Sequence, residues 1–277
     1  MPELPEVETM VRGVRPYVEG RPIIDVRQPR CLKKPISLTP DMRAIRKQCV
    51  GQVVSRVFRR AKRIVIELDS GHSFLIEPRM TGLLLVADPP TIDHLRFEWR
   101  LDGSDFPLLF WDRRGLGTIS FVDAAGRDEV FARLGPDALE VTVDEFKTRL
   151  KKTGRPVKVA LLDQKLVAGI GNLYASEILH LAGVHPETPS EKLTAARISR
   201  IHAATQEVLL TAIKYEGSTL SDGTYRNVLN QDGSYQNQHR VYDREGLPCP
   251  TCSKGTIQRI VQAQRSTFFC AKCQKRR

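Results

Sequence analysis

The first residues of the chain carry groups that could do covalent chemistry. Pro2 directly follows Met1, and two carboxylates, Glu3 and Glu6, follow within about one helical turn. If Met1 is removed, Pro2 becomes a secondary amine with a pKa of about 8, so a useful fraction is unprotonated at neutral pH. Such an amine attacks an aldehyde-like carbon to give an iminium ion, and the carboxylates could move protons for it. The alternative is that Pro2 and Pro5 only begin a helix, because proline is tolerated in a first turn.

Four of the six cysteines lie in two close pairs near the end of the chain. The pairs Cys249/Cys252 and Cys270/Cys273 give the spacing C-x2-C-x17-C-x2-C, which is typical of a tetrahedral zinc site. All four ligands would be protein side chains, so we expect one structural zinc ion without an open coordination position. The basic, polar residues between the pairs favour a hairpin that lies against nucleic acid. A protein-binding zinc ribbon is the alternative.

The charge balance favours a polyanionic partner. The 277 residues carry a formal net charge of +11, which is larger than solubility alone requires and favours a partner such as DNA. No apolar run has the length of a membrane span, and the acidic N-terminus is unlike a signal peptide. We therefore expect a cytoplasmic, nucleoid-associated protein that does not contact a membrane.

The pattern of apolar residues changes along the chain. Helical spacing of Val7, Met10, Val11 and Val14 predicts a helix that ends near Pro16. From Pro22 to about Val122 the pattern predicts strands, and therefore a layered β structure such as a sandwich. The strands that we expect are Gly51–Phe58, Arg63–Leu68, Ser73–Ile76, Gly82–Val86, Leu95–Leu101 and Pro107–Trp111.

The second half of the chain is predicted to be helical. The expected helices are Val143–Lys152, Val157–Val167, Leu173–Ala182 and Ala195–Tyr215. Between the second and third of them, Gly169 and Gly171 allow a tight turn, and Asn172 is placed to cap the next helix. The polar stretch 217–237 is expected to be a long loop with little core of its own.

Three features occur here in one order: the N-terminal run Pro2-Glu-Leu-Pro-Glu-Val-Glu-Thr9, the segment Asp163–Pro186 and the cysteine module. This combination closely resembles the formamidopyrimidine-DNA glycosylases, bacterial enzymes that remove oxidised purines from DNA. The resemblance implies an α+β, multi-domain fold. Its parts would be an N-terminal β-sandwich with an N-terminal helix (1–135), a helix–two-turn–helix DNA-binding domain (136–237) and a C-terminal zinc finger (238–277).

The resemblance also implies roles for the N-terminal residues. Pro2 would attack C1′ of the damaged nucleotide, Glu3 would protonate the sugar ring oxygen, and Glu6 would support the site. Lys62 would join this catalytic group and contact the phosphates beside the lesion.

Further DNA contacts are implied by the same resemblance. Met80, Arg114 and Leu116 would fill the gap left by a flipped nucleotide. Asn172 and Arg265 would grip phosphates, and Lys158 would assist in the lesion pocket.

Two positions depart from the family's usual pattern. Leu116 replaces a phenylalanine, which removes base stacking, and Glu77-Pro78 replaces His-Leu ahead of Met80. A carboxylate at position 77 would repel DNA phosphate unless it points elsewhere.

The sequence thus predicts a bifunctional DNA glycosylase and abasic-site lyase of base excision repair, acting as a monomer on double-stranded DNA with oxidised bases or abasic sites. The expected substrates are 8-oxoguanine opposite cytosine and formamidopyrimidines, and Leu4 favours this purine-directed branch. One alternative is an endonuclease-VIII-like glycosylase for oxidised pyrimidines. Another is a weakly catalytic protein that binds damaged DNA.

Overall fold

The computed structural model describes residues 2–220 and 223–276, and the chain forms two compact units. The first unit comprises Met1–Ala132 and Ile213–Gln236, and the second comprises Arg133–Ala212 and Asn237–Arg277. The three-part division expected from the sequence remains a prediction. It differs from these units in that it places residues 213–236 with the helical domain.

Helix α1 (Leu4–Val18) buries one apolar face in the first unit. The predicted end near Pro16 is confirmed, since the helix ends at Val18, in the same turn. Pro16 lies inside the helix and has no N–H for the carbonyl of Arg12, but Val18 continues the apolar stripe into the core. The N–H of Glu19 then closes the helix on the carbonyl of Arg15, at 3.1 Å.

Two sheets form the predicted sandwich. The strands are β1 (Ile23–Arg27), β2 (Ser37–Thr39), β3 (Val54–Arg60), β4 (Arg63–Leu68), β5 (Ser73–Glu77), β6 (Gly82–Leu85), β7 (Leu95–Leu101), β8 (Leu108–Asp112) and β9 (Thr118–Val122). One sheet has the order β1-β7-β8-β6 and the other β2-β9-β5-β4-β3. Phe74 of the second sheet packs edge-on against Phe97 and Trp99 of the first, with ring centroids 6.1 and 5.5 Å apart. The core therefore lies between two stacked sheets.

Two helices of the first unit were not predicted. Helix α2 (Met42–Cys49) buries only Ile45 and Cys49, so its apolar stripe is too short to stand out in the sequence. Its start is set by Asp41, whose carboxylate accepts the N–H of Ala44 at 2.9 Å. Helix α3 (Ala124–Ala132) has no buried residue and hence no stripe.

The described parts of the stretch after position 217 form a loop that ends in a short 3-10 helix (Tyr235–Gln238), and the loop contributes to the core of the sandwich. Tyr225 and Val228 are buried in the same core as helix α1. The carbonyl of Val228 accepts the N–H of Val86 at 3.0 Å. A Cβ on Gly13 would lie 2.5 Å from a methyl of Val228, so the helix and the loop pack in direct contact.

The second unit is helical with one hairpin. Its elements are α4 (Val143–Lys151), α5 (Val157–Leu161), α6 (Asn172–Leu181), α7 (Ala195–Lys214, whose last two residues belong to the first unit), β10 (Ile257–Gln262) and β11 (Arg265–Cys270). The prediction that α5 reaches Val167 is wrong. Asp163 ends it, because its side chain accepts the N–H of Lys165 at 2.9 Å and its carbonyl accepts that of Val167 at 3.2 Å.

Glu177 joins helix α6 to the start of the cysteine module. Its side chain is fully buried and accepts three consecutive backbone N–H groups, those of Arg240, Val241 and Tyr242, at 2.8 to 2.9 Å. These bonds compensate the cost of burying the charge. In the described part of the chain, no helix has the length and apolarity that crossing a membrane requires.

We expect Glu177→Ala to lower the free energy of unfolding of the second unit by about 3 kcal/mol, because three backbone N–H groups, one of them buried, lose their acceptor. Urea unfolding, with hydrogen exchange at residues 240–242, measures the change. Glu145→Ala, at a side chain that is 42% exposed, is the control and should change stability by about 0.5 kcal/mol or less. Equal losses in both variants would contradict this role of Glu177.

Candidate functional site

The N-terminal residues form a fixed group at the start of helix α1. Pro2, Glu3 and Glu6 are all buried. Glu3 is the N-cap residue, and its N–H donates to Glu6 Oε2 at 2.8 Å while its own carboxylate accepts the N–H of Glu6. This reciprocal arrangement fixes the helix end and places a carboxylate directly beside Pro2.

Glu6 is also held from the loop. Its Oε1 accepts the N–H of Ser218 at 3.0 Å. Gly217 has φ +78°, and a Cβ there would lie 2.8 Å from Glu6 Oε1, so only glycine fits without displacing the carboxylate. The nearby Tyr225 is fully buried, and its pKa lies well above the usual range because burial disfavours the phenolate and the charge of Glu6 repels it. Its hydroxyl therefore stays neutral.

Lys62 lies half-exposed in the turn between β3 and β4. Arg59 ties this turn to helix α1: its guanidinium donates to Glu8 at 2.9 Å and to the carbonyl of Ala61 at 3.1 Å. Burial alone would raise the pKa of Glu8, but hydrogen bonds and charge from Arg12 and Arg59 outweigh it and lower that pKa. The ionised Glu8 thus holds the lysine turn against the N-terminal helix.

Met80 lies half-buried in the turn between β5 and β6. The adjacent Glu77 does not present a bare carboxylate. It forms ion pairs with Arg63 at 2.5 Å and with Arg79 at 2.7 Å. The repulsion expected from the sequence is therefore offset by two cations.

A buried aspartate connects the Met80 turn to the turn that carries Arg114 and Leu116. The carboxylate of Asp112 accepts the hydroxyl of Thr81 and the N–H of Gly117, the latter at 2.7 Å. The Thr81 hydroxyl accepts the N–H of Arg114 at 2.9 Å. Arg114 is exposed and Leu116 half-buried, so the network fixes the backbone and leaves the arginine side chain in solvent.

In the second unit, Lys158 and Asn172 meet the cysteine hairpin. The buried ammonium of Lys158 donates to Asn172 Oδ1 at 2.6 Å, to the carbonyl of Ser266 at 2.9 Å and to the hydroxyl of Thr267 at 2.7 Å. Asn172 Nδ2 donates to the same Ser266 carbonyl at 3.0 Å. The predicted capping role of Asn172 is wrong: Gly171 is the N-cap, and the amide of Asn172 is used in this network.

Arg265 is exposed at the tip of the hairpin, next to Ser266. The tip is a two-residue turn in which Ala263 and Gln264 have φ of 47° and 61°, as a turn between twisted strands requires. Through Ser266, the structure brings Arg265, Asn172 and Lys158 into one region.

The four cysteines fit a zinc ion. Their sulfur atoms lie within 4.8 Å of one another, and Cys249–Cys273 and Cys252–Cys270 are each 3.8 Å apart. Four sulfurs about 2.3 Å from zinc would be about 3.8 Å apart in a regular tetrahedron. These side chains form the site of one structural zinc.

Gln274 fixes one side of this site. Its Oε1 accepts the N–H of Cys270 at 2.9 Å, and its Nε2 donates to the carbonyl of Val184 at 2.9 Å. The ring of His180 contacts Gln274 and Thr251, at 3.1 and 2.9 Å. Helix α6 is therefore bonded to the metal module.

Several of these residues were not singled out from the sequence: Glu8, Arg59, Asp112, Gly217, Ser218, Glu177 and Gln274. For Asp112 a signal existed, because an acidic residue directly follows the apolar run Leu108–Trp111 and precedes a glycine-bearing turn. Each of the others also has a partner that is distant in the sequence, and spacing alone could not reveal that contact.

A β-sandwich headed by Pro2-Glu3, a helical segment with two turns and a four-cysteine hairpin together define a class of DNA-repair glycosylases. Family models match all three parts. The formamidopyrimidine-DNA glycosylase N-terminal domain matches residues 1–119, the H2TH domain of the same family matches 134–224, and a zinc finger found in FPG and IleRS matches 246–276. The chain belongs to the formamidopyrimidine-DNA glycosylase family.

Whole-chain comparisons agree. The formamidopyrimidine-DNA glycosylase of Chloroflexus aggregans is 42% identical over 99% of this chain and 98% of that relative. The crystal structure of MutM (Fpg) from Thermus thermophilus is 37% identical with a TM-score of 0.86, covering 99% of this chain and 98% of that one. Lactococcus lactis Fpg, solved with DNA that contains an abasic site, is 30% identical with a TM-score of 0.87, covering 99% and 100%.

We expect Gly255→Ala to weaken zinc binding about tenfold or more, since an added Cβ would lie 2.7 Å from Cys270 Sγ and displace it. Competition with a chromophoric chelator measures the affinity. Gly154→Ala is the matched control, because its Cβ would meet only ordinary contacts at 3.4 Å or more. Unchanged zinc affinity in the Gly255 variant would show that the sulfur positions are not tightly fixed.

Proposed function

We propose that this protein is a bifunctional DNA glycosylase and abasic-site lyase that removes 8-oxoguanine and formamidopyrimidines from double-stranded DNA. The observation that carries the proposal is the buried Pro2 with Glu3 as its neighbour and Glu6 anchored on both oxygens. The capping box by itself would serve only the helix start, and its position directly beside Pro2 is what supports a reactive amine with two carboxylates within reach.

The chemistry follows from an amine at Pro2. Removal of Met1, which lies outside the described residues, would free the nitrogen lone pair. The amine attacks C1′, the base leaves with a proton, and the sugar ring opens with its oxygen protonated by Glu3, giving an iminium. Loss of the C2′ proton then expels the 3′ phosphate, and a second elimination expels the 5′ phosphate.

Two turns of the first unit carry the side chains that fill the gap left in the duplex by a flipped nucleotide. Met80, Arg114 and Leu116 take the place of the displaced nucleotide, and Asp112 holds their two turns together. Leucine lacks an aromatic face, so the wedge acts by filling space. Lys62, held close to helix α1 by Arg59, contacts phosphates beside the lesion.

In the second unit, Asn172 and Arg265 contact phosphates. A direct DNA contact by Lys158 would require its ammonium to leave three acceptors, so we assign it a positioning role for Asn172 and the hairpin. Zinc, held by Cys249, Cys252, Cys270 and Cys273, supplies a cross-link and no chemistry. The protein acts as a monomer in the cytoplasm, associated with the nucleoid.

The first experiment is borohydride trapping on a duplex with 8-oxoguanine opposite cytosine, with the N-terminus verified by mass spectrometry. Borohydride reduces an iminium to a permanent link, so we expect a covalent complex that maps to Pro2. Pro2→Gly replaces the fixed secondary amine by a flexible primary amine, so trapping and strand cleavage should fall sharply, whereas Pro5→Gly, the same change in the same helix turn, should keep both.

Full strand cleavage by the Pro2 variant would refute the mechanism. Trapping only on oxidised pyrimidines would change the proposed substrate class from oxidised purines to oxidised pyrimidines. Lactococcus lactis Fpg has been solved with DNA that contains an oxidised pyrimidine. Failure on these and on abasic sites, with a free Pro2, would favour a damage-binding protein.

For Lys158→Met we expect about tenfold weaker binding to an abasic duplex, because Asn172 loses its partner. The trapped fraction at saturating DNA should stay the same. Lys147→Met removes an exposed charge and is the control. If the Lys158 variant instead loses trapping at saturation, the lysine acts in the lesion pocket and not through Asn172.

A further inference from the structure

Glu77 and two arginines form a charged cluster at the edge of the sandwich. In the pairing of β4 with β5, Ile64 lies opposite Ile76, which places Arg63 opposite Glu77. Residues paired in this way share one face of a sheet. Both Nε and Nη2 of Arg63 lie 2.5 Å from Glu77 Oε1, and Nη2 of Arg79 lies 2.7 Å from Oε2. One carboxylate thus holds two guanidinium groups.

The cluster remains positive and is open to solvent on one side. Glu77 is 17% exposed and Arg63 is 21% exposed, whereas Arg79 is 56% exposed. Two cations and one anion give the group a charge of +1. A guanidinium has five N–H donors, so Arg79 keeps donors for a further acceptor after bonding Glu77.

The neighbours of the cluster are the residues assigned to DNA. Lys62 directly precedes Arg63, and Met80 directly follows Arg79. The Met80 turn is closed by a hydrogen bond from the N–H of Gly82 to the carbonyl of Pro78, at 2.9 Å. A phosphate next to a nucleotide displaced by Met80 would therefore pass close to Arg79.

We propose that Arg63, Glu77 and Arg79 form a binding site for a DNA phosphodiester, in which Glu77 is a positioning residue that presents the arginines. The inference rests on the proposed function. Arginine suits this ligand because its fork of N–H groups matches phosphate oxygens. The unusual carboxylate at position 77 then helps DNA binding by ordering two cations, and its own charge is neutralised.

The test measures binding to a duplex with a tetrahydrofuran abasic analogue opposite cytosine, by fluorescence anisotropy at several KCl concentrations. Arg79→Ala should raise Kd about tenfold and reduce the magnitude of the slope of log K against log salt by about 0.9, the value of one phosphate contact. Glu77→Gln should raise Kd about threefold, since the arginines must then be ordered on binding.

The sign of the Glu77 effect separates two explanations. A carboxylate that only repels DNA predicts tighter binding in Glu77→Gln, whereas a positioning residue predicts weaker binding. In the Arg79→Ala background, Glu77→Gln should no longer weaken binding by the same factor, because most of its effect passes through Arg79. Equal or tighter binding by Glu77→Gln, or an unchanged salt slope in Arg79→Ala, would overturn the inference.

The pair Glu98 and Arg100 provides matched controls. Their ion pair is 2.6 Å long, with Arg100 47% exposed and Glu98 13% exposed, which resembles the Arg79–Glu77 pair. Arg100→Ala and Glu98→Gln should leave the salt slope unchanged. If the unaltered protein does not prefer the abasic duplex to an undamaged one, the proposed function fails. If it does, and only the Glu77 and Arg79 results differ from expectation, this inference alone fails.

Discussion

The structure depends on fixing the start of helix α1, directly after Pro2, the residue to which we assign the reactive amine. Helix ends normally fray, since their first N–H groups lack partners within the helix. Here the two oxygens of Glu6 are divided between the N–H of Glu3 and that of Ser218, more than two hundred positions away. This carboxylate therefore ties the N-terminus to the loop after α7, and the loop is in turn held by Tyr225 and Val228 in the sandwich core. The position of the N-terminal residues is therefore fixed by packing against residues that are distant in the sequence.

Buried charged side chains fix the turns and loops around the candidate site, whereas apolar side chains pack the two sheets together. Asp112, Lys158 and Glu177 each bond at least three polar groups, and each of them joins its own segment to at least one other. Burying a charge is costly unless it is fully bonded, so each of these side chains strongly favours one arrangement of its neighbours. Such networks are suited to placing a turn accurately, because hydrogen bonds have a narrower range of geometry than apolar contacts.

Local patterns predicted the parts of the fold that depend on local rules. The bounds of β4 and β7 match those expected from residue alternation, and the cysteine spacing predicted a cluster that the structure contains. Prediction failed where a distant partner decides the outcome. Asn172 looks like a helix cap until Lys158 and Ser266 occupy its amide, and Glu77 looks repulsive until its two arginines are placed beside it. A sequence shows which groups are available, but long-range packing decides their partners.

The bond between Thr81 and Asp112 has a consequence for how such proteins diverge. Strands β6, β7 and β8 separate the two turns in the sequence. A change in the backbone of one turn would nevertheless disturb the other, because the hydrogen bonds of Thr81 and Asp112 join them. Substitutions at positions 81 and 112 are therefore tolerated mainly in tandem. Across a lineage, we expect these two sites to covary as a single unit, so that the backbone of both turns is preserved when the side chains at 80, 114 and 116 change.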